Sequence, residues 1–256
     1  MTVDLFYRVV GDGFPLIILH GVFGNSDNWL TLSKKLSENF KVISVDARNH
    51  GQSPHHELFN YEIMAYDLKQ LLDTLNLKKV HLMGHSMGGK TAMIFAKLFP
   101  QYIDRLIIVD IAPKFYPVHH THIIQAMQAI NIEKIIKISD ADDLLKTHLP
   151  LKSLRDFLLK NIKRVSDGYH WKINLPVIAA NLNQIGIDTS DFNFDAPTLF
   201  IKGSDSDYIK EDDIEAIKTQ FRIVKVVTIK NAGHWVQSEQ PTAFLEVVNN
   251  FLLQLT

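Results

Sequence analysis

Cysteine is absent from the 256 residues. That removes disulfides, thiolate metal sites and a cysteine nucleophile, although it settles no cellular compartment. A charge excess of either sign is also lacking: Lys and Arg total 27 against 28 for Asp and Glu. The chain therefore offers no basic face of the kind that nucleic acid or anionic lipid requires, and a small neutral or modestly charged substrate suits it better. No window approaches 18 uninterrupted apolar residues, and Met1-Thr2-Val3-Asp4-Leu5-Phe6-Tyr7-Arg8 lacks a basic stretch followed by a long apolar one. The expectation is a soluble, cytoplasmic protein with no membrane span. Internal repeats and low-complexity tracts are missing as well.

Of the residues present, 46% are hydrophobic, enough in a chain of this length for one large core carrying an insertion. Residues 3 to 9 alternate and end in Gly11-Asp12-Gly13, a strand followed by a turn. Leu16 to Leu19, Phe40 to Val45, Val80 to Met83 and Leu106 to Val109 are apolar on both faces, as parallel strands covered by helices must be. Between them, Trp29, Leu32 and Leu36, and then Met64, Leu68, Leu71, Leu72 and Leu75, repeat at helical spacing. Strands alternating with helices predict an α/β fold with a mostly parallel sheet.

After Asp110 that rhythm stops. Residues 114–194 read as helix-like segments at Ile123 to Ile130, Ile135 to Leu145, Leu151 to Ile162 and Pro176 to Ile185, a helical cap that cannot extend the sheet. The sheet resumes at Pro197 and ends with Ile223 to Ile229 and a closing helix containing Phe244, Leu245, Val248 and Phe251. The predicted domains are thus a core of residues 1–113 and 195–256 and a cap of 114–194.

The centre of the pattern is Gly84-His85-Ser86-Met87-Gly88, set between a buried strand and a helix. Such a strand-to-helix turn is sharp enough to strain the backbone of Ser86, and only glycine avoids a clash at positions 84 and 88. The hydroxyl of Ser86 is lifted above the sheet, toward the amide of Met87 at the helix N-terminus. His20-Gly21-Val22-Phe23-Gly24 follows a neighbouring strand, so the amide of Val22 is the expected second donor of an oxyanion hole.

A serine hydroxyl becomes a good nucleophile when an imidazole takes its proton and a carboxylate fixes the imidazole's tautomer. His234, in Asn231-Ala232-Gly233-His234-Trp235 after the last strand, occupies the place for that base. Three acids lie between Ser86 and His234 in chain order and follow strands. Asp110 directly follows a buried run, where an unpartnered carboxylate would be costly. Asp205 is the alternative acid, with Asp207 behind it, both in the polar turn Ser204-Asp205-Ser206-Asp207. His20 is read as a support for its own loop, and Arg48, Asn49 and His50 as a polar turn holding itself together, with substrate contact as the other reading. His119, His120 and His122 suit no tetrahedral metal site without distant partners, so no metal and no cofactor are expected. Phe115, Tyr116, Tyr169 and Trp171 are candidates for pocket walls or cap core.

Together, the elbow, the His20-Gly21 loop, Asp46-Ala47-Arg48-Asn49-His50-Gly51 and the His234 loop resemble the α/β-hydrolase superfamily. Within it, the Asp-Ala-Arg-Asn-His-Gly turn and Val109-Asp110-Ile111-Ala112-Pro113 are similar to YbfF-like bacterial esterases and their mitochondrial relatives. The resemblance covers nearly the whole chain and is weakest in the cap. It implies esterase or thioesterase activity on acyl esters or acyl-CoA, and an acid after the sixth strand, matching Asp110. A C–C bond hydrolase or perhydrolase could use the same triad, and a receptor could keep the fold without turnover. The retained Ser, acid and His argue for turnover.

Overall fold

Residues next to each other in a strand point to opposite faces of the sheet, so a strand apolar at every position needs cover on both sides. In the computed structural model, which describes residues 1–118 and 120–254, helices supply that cover. The first half of the chain contains β1 (Tyr7–Val10), β2 (Phe14–Leu19), α1 (Leu30–Leu36), β3 (Phe40–Val45), α2 (Tyr61–Thr74), β4 (Val80–His85), α3 (Met87–Leu98) and β5 (Ile103–Val109). An insertion follows with α4 (Thr121–Gln128), α5 (Ile138–Lys146), α6 (Lys152–Leu159), β6 (Ile162–Val165), β7 (Gly168–Trp171), α7 (Leu175–Ala180) and α8 (Leu182–Ile185). The chain then returns through β8 (Thr198–Gly203), α9 (Asp213–Gln220), β9 (Val224–Ile229), α10 (Val236–Glu239) and α11 (Pro241–Leu252).

Seven strands form the main sheet in the order β1-β3-β2-β4-β5-β8-β9, with β1 antiparallel to β3 and every other pair parallel. Ile17 and Leu19 of β2 pack on one face with Leu68 and Leu72 of α2 and Met93 and Phe95 of α3. Leu16 and Ile18 pack on the other with Leu32 and Leu36 of α1 and Phe244 and Val248 of α11. Leu106 and Ile108 of β5 join the first cluster and Ile107 and Val109 the second, the same alternation two strands away.

The strand before the insertion, the sixth under the family resemblance, is the fifth along this chain. The insertion also differs from the all-helical reading, because β6 and β7 pair as an antiparallel hairpin with Ile162 opposite Trp171. Leu158, Leu159 and Ile162 mimic helical spacing. However, Asp167-Gly168 turns the chain, with Gly168 at φ 135°, a conformation that glycine adopts without penalty. The predicted helix Pro176 to Ile185 breaks at Asn181 into α7 and α8.

Ile124, Met127, Ala141, Leu145, Leu158, Ile173 and Ile178 of the insertion share one apolar cluster with Val22, Phe23, Met64 and Met87 of the sheet domain. Buried polar contacts reinforce that seam: Asn161 Nδ2 donates to the carbonyl of Phe23 at 2.7 Å, and the Tyr61 hydroxyl to that of Ile185 at 2.6 Å. Among the described residues, no helix is long and apolar enough to cross a membrane.

Candidate active site

Ser86 lies between β4 and α3 at φ 51° and ψ −115°. A non-glycine residue at positive φ is strained, and the surroundings show what holds it there. The Ser86 amide donates to the carbonyl of Val109 at 3.0 Å, and its carbonyl accepts the amide of Lys90 at 3.0 Å. A Cβ added at Gly84 would lie 2.2 Å from the carbonyl oxygen of Gly88, and one at Gly88 would lie 2.4 Å from that of Leu19. The two glycines therefore let the elbow close against β2. Gly21 continues this contact, since a Cβ there would meet Ser86 Cβ at 3.3 Å and His85 Nδ1 at 2.9 Å. The loop carrying Val22 thus lies against the elbow, and Met87 begins α3, where the first amides have no partner within a helix.

His234 is in the loop after β9, and its Nδ1 is 2.8 Å from Oδ2 of Asp110. Asp110, at the end of β5, is fully buried and also takes a positive φ of 49°. Its Oδ1 accepts the amide of Gly203 at 3.2 Å, and its Oδ2 accepts the hydroxyl of Ser206. Burial pushes the Asp110 carboxyl up to about 6, while the hydrogen bonds from Ser206 and Gly203 favour the ionised form and pull it back. Asp205 and Asp207 remain exposed in their turn, where Asp205 accepts only the neighbouring Ser204 hydroxyl among the described bonds. The polar turn thus meets Asp110 through a serine.

Two more groups hold the His234 loop. His85 Nε2 donates to the His234 carbonyl at 2.8 Å, and burial pushes His85 down to about 3, so it is a neutral donor. The Tyr208 ring stacks on the His234 imidazole with centroids 3.7 Å apart and planes 14° apart. Ser206 and Tyr208 have no periodic or motif signal. Only their position three and five residues past Gly203, beside the end of β5, marks them.

A cleft opens beside Ser86, lined by Tyr61, Met87 and Tyr208 from the sheet domain and by Tyr116, Leu182 and Ile185, with about 330 Å³ of empty space counted to its open mouth. Tyr116 is a pocket wall, whereas Tyr169 and Trp171 pack against the insertion's apolar cluster. Phe115 is 60% exposed and belongs to neither.

The remaining candidates are structural in their contacts. His20 pairs its Nδ1 with the Gly21 carbonyl at 2.8 Å, and its Nε2 accepts the Ala47 amide at 3.0 Å. Arg48 is buried against Asp67 through Nε at 2.6 Å and Nη2 at 2.8 Å. Asn49 and His50 are buried too, and Asn49 receives the Asn174 amide across the seam. His120 lines the cleft, His122 is exposed on α4, and His119 lies outside the described residues. Among the described residues, no three His, Asp or Glu side chains are grouped to hold a metal ion.

Lys90 was given no role by the sequence. It is fully buried, and its Nζ donates to the carbonyls of Lys114 at 2.6 Å and Ile187 at 2.8 Å, where the chain enters and leaves the insertion. Burial pushes this ammonium down to about 7, partly opposed by Asp188.

Comparison with known proteins follows the same outline. The profile of a family described as "alpha/beta hydrolase fold" matches residues 15–241. The chain is 39% identical to the sn-1-specific diacylglycerol lipase ABHD11 of Danio rerio, over 98% of this chain and 82% of that one. It is 36% identical to esterase YbfF of Escherichia coli, over 93% and 92%. A solved structure named "Marine microorganism esterase" superposes with a TM-score of 0.95 at 41% identity, over 98% of this chain and 100% of that one.

Proposed function

The chain belongs to the α/β-hydrolase fold family, and from that premise we propose that it hydrolyses carboxylic esters or thioesters through an acyl-enzyme formed on Ser86. The observation that carries this reading is the 2.8 Å contact between Asp110 Oδ2 and His234 Nδ1 beside a serine at positive φ. With Nδ1–H donating to the carboxylate, Nε2 of His234 is the basic nitrogen. It takes the Ser86 proton as Oγ attacks the acyl carbon, and Asp110 supplies the counter-charge to the imidazolium. The oxygen of the tetrahedral intermediate collects negative charge, which the amides of Val22 and Met87 receive. His234 returns the proton to the departing alcohol or thiol, and then activates a water that releases the acid. No step needs a metal or a redox cofactor.

The substrate is a small acyl ester or acyl-CoA. Residues 114–194 act as a cap that closes one wall of the acyl cleft, a reading supported by Tyr116, Leu182 and Ile185 in its lining. A fluorophosphonate probe should acylate wild-type protein and leave Ser86→Ala unmodified, and a chain-length series of p-nitrophenyl and acyl-CoA esters should then define the acyl and leaving groups. An intact mass unchanged by the probe, or a labelled Ser86→Ala, would overturn the nucleophile.

A further inference from the structure

In the proposed reaction His234 is charged only between taking the Ser86 proton and giving it up, so what lies over its ring matters as much as the carboxylate at its edge. Asp110 contacts one ring nitrogen, Nδ1, and leaves the two faces to other groups. One face is covered by Tyr208, with centroids at 3.7 Å and a 14° angle between planes, closer and flatter than the tilted contact of His85 at 4.7 Å and 43°. Two neutral rings stacked so directly are not in their best geometry, because aromatic pairs prefer an offset or an edge. A cation over the face of a phenol ring is attracted by the ring's negative quadrupole, and the attraction grows as water is excluded. The stack therefore favours the protonated imidazole over the neutral one.

Tyr208 is also fixed from behind. Its carbonyl accepts the Tyr116 hydroxyl at 2.5 Å, that hydroxyl accepts the Ala112 amide at 2.8 Å, and the two tyrosine rings lie 5.5 Å apart. Its amide donates to Ser206 Oγ at 3.3 Å, the same hydroxyl that donates to Asp110. A single turn after β8 thus delivers one group to the carboxylate and another to the face of the imidazole. Among the described residues, the titratable and charged groups that face His234 or its partner Asp110 include His85 at the end of β4, Tyr208 and Lys202 from β8 and its turn, and Glu239 of α10, which takes the Gly233 amide.

We propose that Tyr208 is a positioning residue for the general base: its ring holds the His234 imidazole flat and stabilises the imidazolium formed when Ser86 Oγ gives up its proton to attack the acyl carbon. The role rests on the serine-hydrolase reading above. The proton moves from Ser86 to Nε2 of His234 and later to the leaving group, while Tyr208 exchanges nothing. Its contribution is to make His234 a stronger base.

The test compares Tyr208→Leu, which removes the π face at similar volume, with Tyr208→Phe, which keeps it. For each, the rate of fluorophosphonate labelling and kcat/KM for p-nitrophenyl acetate are followed against pH. Without the ring the imidazolium is a stronger acid, so the acid limb of Tyr208→Leu should move to lower pH by roughly half a unit to one and a half units, with the plateau roughly 3- to 30-fold lower. The limb belongs to the Asp110–His234 pair, and a shift in either direction is read on the pair. The Tyr208→Phe limb should stay with the wild type. A lowered plateau with an unmoved limb, or equal shifts in both variants, would reduce Tyr208 to a packing residue. Should Tyr208→Leu fail to fold, histidine-labelled wild type decides through the ring current. The carbon-bound imidazole protons of His234, assigned by their loss in His234→Gln, must lie upfield of the positions they take in the unfolded chain, and their absence there refutes the stack. A wild type that the probe never labels refutes the hydrolase reading itself, whereas a labelled wild type with an unmoved Tyr208→Leu limb refutes only the role of Tyr208.

Discussion

Ser206 donates its hydroxyl to Oδ2 of Asp110, the same oxygen that faces Nδ1 of His234 at 2.8 Å. The turn after β8 therefore meets Asp110 through a hydroxyl while its own carboxylates, Asp205 and Asp207, face solvent. Asp110→Asn keeps the shape and removes the charge. Its kcat should fall roughly 10²–10⁴-fold with folding retained, and Asp205→Asn should lose less than about tenfold. Steady-state kinetics with a melting curve for each variant separates lost chemistry from lost stability, and a crippled Asp205→Asn beside an active, folded Asp110→Asn would move the acid to the β8 turn.

Acid should silence the enzyme near pH 6. Burial raises the Asp110 carboxyl to about 6, so protons return to it well above its ordinary value of 3.8, and His234 then lacks its counter-charge. The pH profile of kcat/KM should decline as pH falls through about 6, and a flat profile down to pH 4 would contradict it. The same shift has a stability sign. Between about 4 and 6 the folded state holds the proton that the unfolded state has released, so this carboxyl's contribution to stability is lost as pH rises through that window. Asp110→Asn should accordingly melt no lower than wild type at pH 8.

Lys90 has the opposite linkage. Its ammonium is pushed down to about 7 in the fold and titrates near 10.5 when exposed, so between those values the unfolded chain binds more protons and stability rises with pH. Lys90→Met should lack this rise. It also leaves the carbonyls of Lys114 and Ile187 without this donor, a cost of about 1–3 kcal/mol for a buried group that does not vary with pH. Melting temperatures of both proteins from pH 7 to 9 give the comparison, and parallel curves would mean that Lys90 does not titrate there.

Gly21→Ala should act on turnover more than on binding. The added methyl would lie 3.3 Å from Ser86 Cβ and 2.9 Å from His85 Nδ1, so the Val22 loop must draw back from the elbow. Loss of one oxyanion donor lowers kcat by up to roughly 10²–10³ with KM little changed. A change confined to KM would place the Val22 amide outside the oxyanion site.

Leu182→Trp fills the cleft from the inserted segment. Hydrolysis of longer p-nitrophenyl esters should fall before that of the acetate. A uniform loss across chain lengths would mean that the cap does not measure the acyl group.

Local chemistry wrote much of this protein in the sequence. The strands are legible as short runs apolar at every position, and Leu16 to Leu19, Val80 to Met83 and Leu106 to Val109 all lie inside β2, β4 and β5. The elbow is legible because its constraint spans five residues, and Gly84 and Gly88 are required by contacts within that turn and with the adjacent strand. Which carboxylate meets His234 is another kind of fact. Asp110 and Asp205 both follow parallel strands that end at one edge, and the register that sets Val109 beside Ile201 and Gly203 beside Ile229 brings Asp110 under the imidazole. Lys90 reads as an ordinary helix cation until the two ends of the insertion close over it, and the β6–β7 hairpin hides behind leucines at helical spacing. Tyr208 has no local signal at all, because the ring it covers lies 26 residues further along the chain, on the far side of β9. A residue pattern encodes what neighbours in the chain must do, and contacts made by strands stacking side by side exist only once the sheet has formed.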